Sequence, residues 1–188
     1  MARILAMKSK LGVPLIVAIV VGASVAAVVA NYGTFFPRQW NTYTSPDGTF
    51  SIELPAKPTI DTTPIPMGDG GTTKAITINA APSSGAVYQF GYFNDDRLSS
   101  KAPDDILAAA NRGSLERIGA TSTKETRIEV QGYPAMETQA QAPGNASVDT
   151  RMVLVGNRLY MIVAVAKEKE RDAETIYRVM DSFKILSK

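Results

Sequence analysis

The stretch VLVGNRLYMIVAVAKEKERDAETIYRVMDSFKI, Val153 to Ile185, decides the fold of this 188-residue chain. Ser147–Val155 and Arg158–Ala166 read as two strands joined at Gly156-Asn157, residues that tolerate the positive backbone angles of a tight hairpin. The second arm contains LYMIVAVA, Leu159 to Ala166, almost wholly apolar. Such a strand belongs in the middle of a sheet, covered on both faces or covered on one and engaged by the upstream tether on the other. A helix is expected from about Arg171 to Asp181, with Ala173, Ile176, Tyr177 and Met180 as its inward stripe. Phe183 and Ile185 then continue into the core as a short terminal strand or strap.

Working backwards, Gly132-Tyr133-Pro134 reads as a turn between a strand at Thr126–Gln131 and one containing Met136 and Thr138, and Pro143-Gly144-Asn145 as the next turn. A helix from about Pro103 to Ile118 has a proline suited to its first turn and Asp104 and Asp105 at the positive end of its dipole. Leu107, Ala110, Ser114, Leu115 and Ile118 recur at helical spacing, and Gly119 supplies the stop. Upstream, Ala86–Asn94 alternates Tyr88, Phe90 and Tyr92 against Val87, Gln89, Gly91 and Phe93, and Thr73–Asn79 centres on Ile76 and Ile78. Pro55 to Gly71, with Pro58, Pro64, Pro66, Gly68 and Gly70, reads as an irregular crossing or mobile loop. Trp40–Tyr43 and Phe50–Leu54 form a hairpin about the turn Ser45-Pro46-Asp47-Gly48. The fold class is therefore α+β: a mostly antiparallel sheet packed with two main helices, preceded by one transmembrane helix.

That transmembrane segment is Leu11 to Ala30, LGVPLIVAIVVGASVAAVVA, an uncharged run of 20 residues. As a helix it is about 30 Å long, enough to cross the hydrocarbon. Arg3, Lys8 and Lys10 precede it, and no basic residue follows before Arg38. The expected orientation has residues 1–10 in the cytoplasm and the rest outside, anchored in the inner or plasma membrane. Residues 31–39 form a tether, and residues 40–188 a single extracytoplasmic (periplasmic) domain. A cleavable signal peptide, cut after Ala30, is the competing reading, but the apolar run is longer than a signal's hydrophobic region.

Beyond the anchor, 17 basic side chains face 18 acidic ones, which argues against nucleic-acid binding. With neither cysteine nor histidine, the chain has no disulfide, no thiolate or histidine-based triad and no usual structural zinc site. No cofactor, catalytic group or metal ligand is expected. Asp95 and Asp96 with Asp104 or Asp105 offer carboxylates to a hard cation, but helix-end electrostatics explains them without one. Gly68-Asp69-Gly70-Gly71 lacks the lysine and the strand–helix context of a phosphate loop. Tyr88, Phe90 and Tyr92 form a binding stripe if that sheet face is open, and core otherwise. Arg158 and Tyr160 offer themselves to a partner, but turn geometry and sheet packing already account for them. Lys167 to Arg171 reads as a hydrated helix entrance, and Asn145-Ala146-Ser147 fits a glycosylation acceptor that a bacterial chain would leave unmodified.

Together with SPDGTFSIELPAKP (Ser45–Pro58) and QGYPAMETQAQ (Gln131–Gln141), the opening stretch resembles a group of bacterial domains of the PsbP and MOG1-like superfamily. The resemblance implies an antiparallel sheet with packed helices. It matches Gly156, Asn157 and Arg158 to the family's hairpin turn, Tyr160 to its following strand, and Asp181, Ser182 and Phe183 to its terminal turn and core contact. It further implies accessory or binding roles. The absence of histidine sets this chain apart from relatives with histidine-containing metal or photosystem contacts. The function expected is thus that of a noncatalytic interaction or accessory subunit of an envelope complex, with the lipid bilayer and a membrane protein as partners. A small-ligand or lipid-binding sensor or carrier is the alternative, and it needs a pocket behind the Tyr88 strand.

Overall fold

Strands Ala146–Val155 (β8) and Arg158–Lys167 (β9) pair from Val155 opposite Arg158 to Ala146 opposite Lys167. Gly156 opens their two-residue loop at φ 58°, a left-handed angle that glycine adopts without a Cβ penalty. In this computed structural model, which describes residues 39–66, 72–82 and 85–186, β9 is the fourth of seven antiparallel strands. The others are Thr59–Pro66 (β3), Thr72–Ala80 (β4), Val87–Asn94 (β5), Thr121–Val130 (β6) and Tyr133–Ala142 (β7), in the order β3-β4-β5-β9-β8-β7-β6. The apolar run of β9 is central and buried on both faces, as its composition demands.

Two cores flank this sheet. On one face Leu159, Met161 and Val163 meet Ile106, Leu107, Ala110 and Leu115 of helix α1, Pro103–Arg117. Pro103 and two aspartates open α1. Ala120 N–H bonds Leu115 O at 2.9 Å and Gly119 N–H bonds Glu116 O at 3.2 Å, with Gly119 at φ 64°, which closes the helix with paired C-terminal bonds. On the other face Tyr160 and Ile162 meet a smaller sheet, Asn41–Thr44 (β1), Phe50–Leu54 (β2) and Lys184–Ile185 (β10), together with helix α2, Ala173–Ser182. Asp172 caps α2 by accepting from Thr175 N–H at 3.1 Å. Each large side chain fully buried in these cores contributes about 1.5–3 kcal/mol.

Four expectations need correcting. Thr59–Pro66 is a strand, not an irregular crossing: β3 is an edge strand, so prolines that cannot donate to a further neighbour do no harm there. Gly68–Gly71, like residues 1–38 with the apolar run 11–30, lies outside the described residues. The inward stripe of α2 is Thr175, Ile176, Val179 and Met180, whereas Ala173 and Tyr177 are exposed. Tyr177 instead turns its hydroxyl to Gln139 Nε2 at 3.2 Å on the rim of the sheet, which rotates the stripe. The turn before β7 is Gln131-Gly132, with Tyr133 and Pro134 already in the strand. Finally, β6 begins at Thr121, because a register shift between Ser122 and Lys124 extends its pairing with β7. Among the described residues no helix is long and apolar enough to cross a membrane.

Under α1, Thr138 and Thr150 face each other in register, both buried, and neither hydroxyl has a hydrogen-bond partner among the described residues. Leaving a buried hydroxyl unmade costs about 1–3 kcal/mol, so the double variant Thr138→Val/Thr150→Val raises the urea midpoint. A lowered midpoint would mean that an ordered water bridges the pair.

Candidate functional site

The stripe Tyr88, Phe90 and Tyr92 is core. Their exposures are 1%, 0% and 7%, and Phe50 from β2 fills the space against them. The Phe50 ring centroid lies 4.8 Å from Phe90, 5.0 Å from Tyr92, 5.5 Å from Tyr160 and 6.2 Å from Phe183. Alternation along β5 supplies the stripe and β2 the plug, so the space behind the Tyr88 strand holds side chains where a carrier would hold ligand.

Arg158 and Tyr160 work at the end of this block. Leaving the β8–β9 turn, Arg158 donates from Nε to Asn94 Oδ1 at 2.7 Å and from Nη1 to Thr49 Oγ1 at 2.8 Å, Asp47 Oδ2 at 3.2 Å and Tyr160 OH at 3.3 Å. Its guanidinium also lies 5.3 Å from the Tyr92 ring centroid and 5.8 Å from that of Tyr160. Beside it, Asn157 O accepts from Asp95 N–H at 2.8 Å and Asn157 Nδ2 donates to Asp96 Oδ1 at 2.7 Å. Thus the hairpin turn locks the Ser45–Gly48 turn of the small sheet to the end of β5. Partial burial pushes the Asp47 carboxyl up, but hydrogen bonds from Ser45, from the Thr49 side chain and backbone and from Arg158 outweigh it and hold the group well below the usual carboxylate range. A carboxyl depressed in the folded state stabilises above its unfolded pKa, about 3.9 for aspartate, and that contribution is lost as pH falls toward the folded value. The melting temperature therefore falls below about pH 4, and Asp47→Asn reduces the slope in that range.

The acidic candidates do not converge. Asp95 caps a short 3-10 helix and binds Arg97 at 2.8 Å, Asp96 binds Asn157, and Asp104 pairs with Arg127 at 2.9 Å. No group of three or more ligating side chains occurs among the described residues. Within the charge run, Lys167 to Glu170 are exposed, but Arg171 leaves it to hold the buried Asp149 through bonds of 3.0 and 2.8 Å. Asn145 is an exposed turn residue at φ 59°.

Two surface features escaped the sequence reading. Between α2 and the β6–β8 end of the sheet, a small polar cavity of about 30 Å³ is lined by Lys124, Gln139, Asp149 and Tyr177, among others. Nearby, Arg151 joins Glu137 and Asp181. At the opposite margin of α2, Trp40 lies 3.6 Å from the guanidinium of Arg178, which binds Glu53 at 3.1 Å, while Gln39 N–H donates to Pro55 O at 3.2 Å. An open groove of about 360 Å³ runs beside this clamp over the outer face of the small sheet, lined by Thr42, Ser51, Glu53, Arg178, Asp181 and Lys184. Only the lone tryptophan hinted at the clamp, because its partners come from β2 and α2.

No family model and no curated protein matches the chain. Among solved structures it is similar to the cyanobacterial PsbP protein CyanoP from Synechocystis, with a TM-score of 0.56 over 82% of this chain and 96% of that one, at 8% identity. The fold is PsbP-like. Looser likenesses, at 13% identity each, are to a Pseudomonas aeruginosa protein of unknown function (TM-score 0.39, 70% of this chain and 85% of that one) and to a Bacteroides thetaiotaomicron protein (TM-score 0.46, 79% and 49%). The PsbP-like fold accounts for the sheet and its two covering layers; a likeness at this identity does not extend to function.

Proposed function

We propose that the chain is a noncatalytic, membrane-anchored accessory subunit of an envelope protein complex, with residues 11–30 in the bilayer and the PsbP-like domain outside. The observation that carries this reading is the clamp at Gln39 and Trp40. A domain on a slack leash needs no such fixation, whereas one that must meet a neighbour in the same membrane gains from a fixed exit point, because tethering raises effective concentration only when geometry allows engagement. The carboxylates nearest the polar cavity, Glu137 and Asp149, are each held by an arginine, which suits structure better than general-base work. The plug of Phe50 removes the support for a carrier. Mild detergent extraction of the full chain from its own membranes tests the proposal: a membrane protein copurifies in constant ratio. Recovery as a lone monomer, or from the soluble fraction, would overturn it.

A further inference from the structure

The groove beside the clamp has a composition that differs from every other polar cluster described above. Its two bases, Arg178 and Lys184, and its two acids, Glu53 and Asp181, balance in charge. Arg178 and Glu53, which pair with each other, are 50% and 40% accessible, and Asp181, held on one side by the buried Arg151, keeps 67% of its side chain open, against 5% for Asp149 in its pair with Arg171. Lys184, exposed on β10, has no ion pair with any described residue. An exposed pair such as Arg178–Glu53 holds weakly and rearranges for a ligand, whereas the buried Asp149 is fixed by two bonds from Arg171. A simple anion would meet two carboxylates in this groove and a simple cation two bases. A zwitterion satisfies both.

Position selects the source of that zwitterion. On the anchored reading, on which this inference rests, residues 31–38 separate the span from the clamp, so the clamp lies within about 30 Å of the bilayer surface, with the groove beside it. Trp40, half-buried at the groove's margin, is the residue type favoured at headgroup level. We infer that the groove seats the headgroup of an amine-bearing zwitterionic phospholipid, its phosphate oxygens accepting from Arg178 and Lys184 and its ammonium donating to Glu53 and Asp181. The carboxylates choose ethanolamine over choline, because only a primary ammonium offers N–H donors to them.

The chain carries a single tryptophan, which makes the test direct. Full-length protein is placed in nanodiscs of phosphatidylcholine alone, of phosphatidylcholine with phosphatidylethanolamine, or of phosphatidylcholine with phosphatidylglycerol, each containing a trace of lipid spin-labelled at the headgroup. Quenching of Trp40 is the readout. Phosphatidylethanolamine is expected to strengthen quenching, and Lys184→Glu to cut that increment by about threefold without changing the melting temperature. Equal quenching in all three discs, or an equal gain from phosphatidylglycerol, overturns the inference while leaving the anchor intact. Failure of the chain to enter any disc overturns the anchor and the inference with it. Loss of the ethanolamine effect on adding millimolar free phosphoethanolamine supports the site, whereas binding of that compound with no preference among discs overturns the lipid as its source.

Discussion

Phe50→Ala lowers the unfolding free energy by about 3–5 kcal/mol, the cost of emptying a large aromatic site in a closed core. Phe50 is fully buried and its ring meets Tyr43, Phe90, Tyr92, Tyr160 and Phe183. These neighbours come from β1, β5, β9 and the segment after α2, so the void cannot be closed by one side chain moving. The loss is a large fraction of the roughly 5–15 kcal/mol that holds a domain of this kind together. Phe50→Leu, which keeps branched apolar volume, retains part of it. A urea titration of the detergent-solubilised chain, read on Trp40, measures both; a loss below about 1 kcal/mol for Phe50→Ala would show that the plug is not a core element.

Arg158→Ala has the second-largest effect, a loss of about 1–2 kcal/mol. Its side chain is 20% exposed and donates to four partners. Removing it leaves Asn94 and Thr49 without that donor and deprives Asp47 of its cation. Since the link runs from the β8–β9 turn to the Ser45–Gly48 turn, the damage is specific: the small sheet loosens first. Hydrogen exchange checks this, with protection falling more in Phe50–Leu54 than in Leu159–Ala166. Arg158→Lys recovers little, because an ammonium lacks the planar fork that serves Asn94 and Thr49 together. Uniform loss of protection in both strands would refute the latch.

Much of the architecture was legible because it rests on local chemistry. Gly156-Asn157 announces a tight hairpin, LYMIVAVA has no polar position to give a solvent face, and Pro103 and Gly119 bracket α1. The misreadings share one cause, context supplied by distant chain. Pro64 and Pro66 break a strand within a sheet but not at its edge, and only the strand order puts β3 there. Ala173 and Tyr177 fit a helical stripe as well as Thr175 and Val179 do, until the position of β7 draws Tyr177 outward. The surface sites were less legible. Arg178 reaches Glu53 across 125 positions and Arg158 reaches Asp47 across 111, pairings that no periodicity encodes. The resemblance marked Gly156, Asn157 and Arg158 as a turn, and the geometry adds what that turn fastens.

The most direct test of the account uses the absence of cysteine in the chain. Single-cysteine variants Lys8→Cys and Thr123→Cys are labelled in whole cells with a membrane-impermeant maleimide. With residues 11–30 as a retained span, both variants stay in the membrane fraction at full length, Thr123→Cys labels from outside, and Lys8→Cys labels only after permeabilisation. Full-length protein in the soluble fraction, or a Thr123→Cys variant shielded until the cells are opened, would contradict it.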